Sequence, residues 1–89
     1  MVKAASVYEP NSGRVMEVYT TQPAVQFYSG NSLDGSDVGK GGIAYQRYAG
    51  LSIETQHYPD SPNHPHFPST ELFPGQIYKQ TSIYKFSAF

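Results

Sequence analysis

The chain contains no cysteine and no tryptophan, and leucine appears only three times in 89 residues. Without cysteine no disulfide can staple the fold, and nothing points to an oxidising compartment. Few leucines leave little material for long amphipathic helices. No apolar run approaches the length of a membrane span. The opening Met1-Val2-Lys3-Ala4-Ala5-Ser6 leads into no apolar stretch of the kind that marks a secretory signal. A cytoplasmic location is therefore the expectation. Charge of either sign is also scarce. Six basic and seven acidic residues give a net charge of −1. Such scattered, balanced charge argues against a nucleic-acid footprint or a membrane-surface patch.

Present instead are eight Tyr, five Phe, eight Gly and seven Pro. Aromatic and β-branched residues favour strands, and frequent Gly and Pro keep them short. The composition reads as all-β within a single small domain.

Ala4 to Glu9 reads as a first strand, closed by the turn signal Pro10-Asn11-Ser12-Gly13. Arg14 to Thr20 follows as its hairpin partner. Pro23 interrupts, and Ala24 to Tyr28 makes a third strand. Ser29 to Gly42 is loop, with a brief strand or loop edge at Ile43-Ala44-Tyr45. Leu51 to His57 is the next strand, followed by a proline-rich connection from Tyr58 to Pro74. Gln76 to Phe86 reads as a long final strand with mixed faces. Strands this poor in apolar residues would core a closed sandwich thinly. Open sheet edges are also hazardous. The chain is therefore expected to be part of a larger β structure, with association through open edges as one outcome.

Glu54 is the most informative residue. In Leu51-Ser52-Ile53-Glu54-Thr55-Gln56 the period of two places Ser52, Glu54 and Gln56 on one face and Leu51, Ile53 and Thr55 on the other. A carboxylate there is a candidate general base. Gln26 takes the polar side of the third strand. If the two strands share a sheet, Gln26 and Glu54 line one polar surface. A carboxylate and an amide offer the acceptors and donors that suit a polyhydroxylated ligand. On pattern alone, two solvated residues on a wet sheet face is the commoner arrangement.

His57, His64 and His66, with Asp60, invite a metal reading. Their spacing lacks the tighter recurrence of zinc sites, and Pro62, Pro65 and Pro68 describe a rigid extended loop instead. Gly39-Lys40-Gly41-Gly42 lacks the glycine spacing, the Ser or Thr and the following helix of a phosphate-binding loop. It reads as a turn.

Taken in order, a series of short motifs resembles the C-terminal part of the aldose 1-epimerase (galactose mutarotase) family. They are Ser12-Gly13-Arg14-Val15, Thr20-Thr21-Gln22-Pro23, Val25-Gln26-Phe27-Tyr28, Gly30-Asn31, Leu33-Asp34-Gly35 and Gly39-Lys40-Gly41-Gly42. Glu54-Thr55-Gln56, Pro59-Asp60, Asn63, Pro65, Phe67-Pro68, Pro74-Gly75 and Tyr84-Lys85-Phe86-Ser87 complete the series. The resemblance implies part of a galactose-mutarotase-like β-sandwich (supersandwich), incomplete at this length. Residues 1–89 would be the C-terminal segment of one such domain. It implies interconversion of the α and β anomers of a free aldohexose such as galactose or glucose. Glu54 matches the family's base and Gln26 a glutamine that contacts the sugar. The resemblance implies no metal and no organic cofactor. The family's acid histidine lies upstream of everything present, and His57, His64 and His66 do not match it. The chain alone is therefore expected to be inactive. A non-catalytic sugar-binding β module is the alternative.

Overall fold

The computed structural model describes all 89 residues, Met1 to Phe89. It forms five strands: β1 (Val2–Glu9), β2 (Arg14–Thr20), β3 (Ala24–Tyr28), β4 (Ser52–Gln56) and β5 (Ser82–Ala88). Lys40–Gly42 and Ser61–Asn63 are single 3₁₀ turns. One sheet has the order β1-β2-β5 and the other pairs β3 with β4. All pairings are antiparallel.

The β1–β2 hairpin forms where the sequence places a turn. The Glu9 carboxylate accepts from the backbone amides of Asn11 at 2.9 Å and Ser12 at 2.7 Å. These bonds, those from Ser12 foremost, hold its carboxyl below the usual carboxylate range. Gly13 closes the turn at φ 75°, a region L-residues other than glycine enter at a cost. Its amide donates to the Glu9 carbonyl at 2.8 Å, and its own carbonyl accepts from the Phe89 amide at 2.8 Å. A Cβ at position 13 would lie 2.7 Å from the Phe89 carbonyl oxygen.

Register partners in an antiparallel sheet share a face. Val18 sits between Ala5 and Tyr84, and Met16 between Val7 and Phe86. With Thr20 and Ser82, these residues make the inner face. Val18 is fully buried and Thr20 nearly so. The β3–β4 sheet meets this face through two hydrogen bonds. Tyr84 Oη donates to the Ile53 carbonyl at 3.0 Å, and the Thr55 and Ser82 hydroxyls lie 2.9 Å apart. Ser82 Oγ also lies 3.0 Å from Thr20 Oγ1, so one hydroxyl cluster joins β2, β4 and β5.

The core is thin, as expected. Val18 and Ile53 are the only buried hydrophobic side chains. Ile77, Phe86 and Phe89 stand open to solvent.

One expectation needs correction. The final strand begins at Ser82 rather than Gln76 and runs on to Ala88. Its ladder partner β2 ends at Thr20, opposite Ser82, because Pro23 turns the chain away. Residues 76–81 therefore have no strand to pair with. They are held by Thr21 Oγ1 donating to Gln80 Oε1 at 2.7 Å and Gln22 Nε2 donating to Tyr78 Oη at 2.6 Å. Of the two alternatives for Ile43 to Tyr45 the structure has the loop edge, with a single bridge between Val38 and Ala44.

The long connections are internally tied. In the excursion between β3 and β4, Tyr45 N donates to Asp37 O at 2.9 Å and Tyr48 N to Gly30 O at 3.0 Å. At its neck a Cβ on Gly30 would collide with the Gly50 carbonyl oxygen. In the proline-rich connection Asn63 Nδ2 donates to Asp60 Oδ1 at 2.5 Å, and Ser61 Oγ donates to the Tyr58 carbonyl. Phe67 packs against Tyr58 and stacks on His64, with ring centroids 4.9 and 4.7 Å away.

Candidate functional site

Gln26 and Glu54 are direct cross-strand partners in the β3–β4 register. Their Cβ atoms are therefore about 4.5–5.5 Å apart on one face. The same face carries Tyr28 opposite Ser52 and Ala24 opposite Gln56. The other face carries Val25, Phe27, Ile53 and Thr55; Ile53 is buried, and the Thr55 hydroxyl meets Ser82 of the first sheet. That burial turns Gln26 and Glu54 outward. Both are exposed.

The carboxylate is partly engaged. Ser52 Oγ donates to Glu54 Oε2 at 2.9 Å. Oε1 carries no hydrogen bond and is free to accept a proton. Gln26 Nε2 makes only a long contact of 3.4 Å to the Phe27 carbonyl. Its amide thus retains donors and an acceptor for a ligand. Tyr28 Oη accepts from the Ser32 amide at 3.2 Å, which ties the start of the β3–β4 excursion to this face.

The site is an open sheet surface. Neither Gln26 nor Glu54 lines any of the four concavities of the chain. Its floor is nonetheless fixed. Ile53 and Thr55, the neighbours of Glu54, are held through Tyr84 and Ser82.

The His64 and His66 rings meet edge to face with centroids 5.9 Å apart, while His57 lies apart from both. His64 Nε2 lies 3.2 Å from Asp60 Oδ2, and His66 packs edge-on against Phe67. His57 lines a separate cleft with Thr21, Gln22 and Tyr78. No group of three or more His, Asp or Glu side chains comes together. Gly39 to Gly42 is a tight turn, with Gly41 and Gly42 at φ 72° and 73°.

Tyr84 and Ser82 are the structural supports that sequence reasoning missed. Their partners lie on β4, far away in sequence, and no local pattern signals such a contact. Ser52 was legible on the polar face, although its bond to Glu54 was not.

Compared with known families, residues 1–85 match the family model for aldose 1-epimerase. The chain belongs to the aldose 1-epimerase family. It is 54% identical to the galactose mutarotase of Bos taurus over 83 residues, 93% of this chain and 24% of that protein. It is 42% identical to the aldose 1-epimerase of Escherichia coli over 87 residues, 96% of this chain and 25% of that protein. The crystal structure of a GalM/aldose epimerase homologue from C. elegans superposes with a TM-score of 0.82 at 34% identity. That match covers 93% of this chain and 25% of the homologue. The chain thus spans about a quarter of the length of the relatives it matches. Its all-β sheets are a portion of the aldose 1-epimerase fold. No helix is long and apolar enough to cross a membrane.

Proposed function

We propose that this chain is the C-terminal segment of an aldose 1-epimerase domain. It carries the base for interconverting the α and β anomers of a free aldohexose. The observation that supports this most is the register pairing of Gln26 with Glu54 on one outward face. Two residues that the family motifs single out, distant in sequence, thereby stand side by side.

The chemistry follows from the groups. Glu54 Oε1 takes the proton of the anomeric hydroxyl. A proton supplied to the ring oxygen lets the C1–O5 bond break and yields the open-chain aldehyde. Rotation about C1–C2 and closure from the other face return the opposite anomer. The proton from Glu54 returns to the new anomeric hydroxyl, and the acid regains its own. This is paired general acid and base catalysis. Ser52 orients the carboxylate, and Gln26 hydrogen-bonds a sugar hydroxyl beside it.

The chain supplies one half of that pair. His64 is engaged with Asp60 and Phe67, and His57 faces the Tyr78 cleft. The acid belongs to the portion of the fold that the family places upstream. The 89-residue chain alone therefore leaves mutarotation at its buffer rate. Polarimetry on freshly dissolved α-galactose tests this. An acceleration that disappears in Glu54→Gln would show that the chain is complete.

A second reading, a sugar-binding module without turnover, draws on the open polar face itself. Titrating galactose while following backbone amide shifts separates the two. Saturable shifts at Gln26 and Glu54 without mutarotation favour the module.

A further inference from the structure

The outward face of the β3–β4 sheet holds a third polar group beside Glu54 and Gln26. On β4, Gln56 follows Glu54 with a period of two, so both side chains leave the same face. Two residues along a strand make a step of about 7 Å. Gln26 lies across from Glu54 at about 5 Å and diagonal to Gln56 at about 7–8 Å. The three groups stand at the corners of a triangle, and a hexose ring is of the size to span it.

The surroundings of Gln56 keep its amide available. Its register partner is Ala24, whose methyl group leaves room above the sheet. The next amide on that side, Gln22, is spent on Tyr78 Oη at 2.6 Å. At the other end of β4 the Ser52 hydroxyl is spent on Glu54 Oε2 at 2.9 Å. Gln56 is half-buried, which restricts its swing, and its side chain bonds to no group of the chain. Its amide therefore keeps two donor hydrogens and an acceptor.

With the anomeric hydroxyl at Glu54 Oε1, a ring laid along β4 brings the hydroxyls far from C1 to Gln56. We propose that Gln56 is a further sugar-binding residue, which hydrogen-bonds a hydroxyl on the side of the ring remote from C1 and so helps select the aldose by its configuration there. The inference rests on the functional reading above, since Glu54 fixes where C1 lies. Selection follows because an amide facing a missing or inverted hydroxyl is left unpaired.

The test uses this full chain in place of the matching quarter of Bos taurus galactose mutarotase, with Gln56 kept or changed to Leu or Met. Polarimetry gives kcat and KM for α-galactose and for galactose lacking the hydroxyl at C2, C3, C4 or C6. Circular dichroism confirms the fold, and the two apolar variants guard against a local packing fault in either. Each variant should raise KM for galactose about 2- to 10-fold, as the loss of one neutral hydrogen bond does, with kcat nearly unchanged. One deoxy sugar should lose that factor with Gln56 present and lose nothing further in the variants. An unchanged KM, or a rise equal for galactose and all four deoxy sugars, would overturn the contact. The base is read separately. A kcat unchanged in Glu54→Gln would overturn the catalytic reading, while the pattern of KM across the deoxy sugars still decides the role of Gln56.

Discussion

Tyr84 Oη on β5 donates to the Ile53 carbonyl on β4 at 3.0 Å, one residue before Glu54. This bond holds the backbone before the candidate base, and the Thr55–Ser82 hydroxyl pair holds the side chain just after it. Tyr84→Phe removes the donor and little else. A single such bond is worth about 0.5–1.5 kcal/mol net. Urea unfolding should show a loss of that order, with amide shifts at Ile53, Glu54 and Thr55.

The core gives a second prediction. Ile53 is 8% exposed and Val18 is 0%, and no other hydrophobic side chain is buried. Ile53→Ala removes half of that pair, and truncations of this kind cost about 2–5 kcal/mol. A domain this small has little stability to lose. The variant should lose its cooperative thermal transition and disperse its amide spectrum poorly.

The first hairpin should respond to pH at both ends of the scale. The hydrogen bond and charge of Lys3, 2.9 Å from Glu17 Oε2, hold the Glu17 carboxyl below its ordinary range and the Lys3 ammonium above its own. Glu9 is lowered as well, by bonds from Ser12 and then Asn11. A carboxyl lowered on folding adds stability above its unfolded pKa, about 4.3, and loses it as pH falls through the folded value. A raised lysine adds stability below its unfolded pKa, about 10.4, and loses it as pH rises through the folded value. Urea midpoints should therefore be flat between these limits and fall on either side. Lys3→Met should remove the alkaline fall and reduce the acid one. Glu9→Gln should reduce the acid fall alone.

The C-terminus should depend on Gly13. At φ 75° and with the Phe89 carbonyl 2.7 Å from any Cβ, alanine meets both strain and collision. The left-handed conformation alone costs about 1–2 kcal/mol. Gly13→Ala should destabilise by at least that much. Hydrogen exchange of the Phe89 amide should quicken more than that of Val18.

What was legible in the sequence follows the range of the contacts. β1, β2 and β3 are close to their expected bounds, because alternation and the Pro10 to Gly13 turn are local signals. The outward placement of Glu54 also follows from a period of two. The start of β5 is not legible locally, because it depends on where β2 stops, more than sixty residues earlier in the chain. The pairing of Gln26 with Glu54 was conditional, since a long excursion separates their strands and hides the register. The supports from Tyr84 and Ser82 left no local trace. The roles assigned to Gln26 and Glu54 came from the order of family motifs and not from their pattern.

The most direct measurement is polarimetry on a covalent chimera. This chain replaces the matching quarter of Bos taurus galactose mutarotase, and Glu54 is either kept or changed to Gln. With Glu54 the chimera should catalyse mutarotation of α-galactose. With Gln, kcat should fall by about 10²–10⁴-fold, the range for loss of a general base. An active chimera whose kcat is unchanged in Glu54→Gln would contradict the assignment of Glu54 as the base.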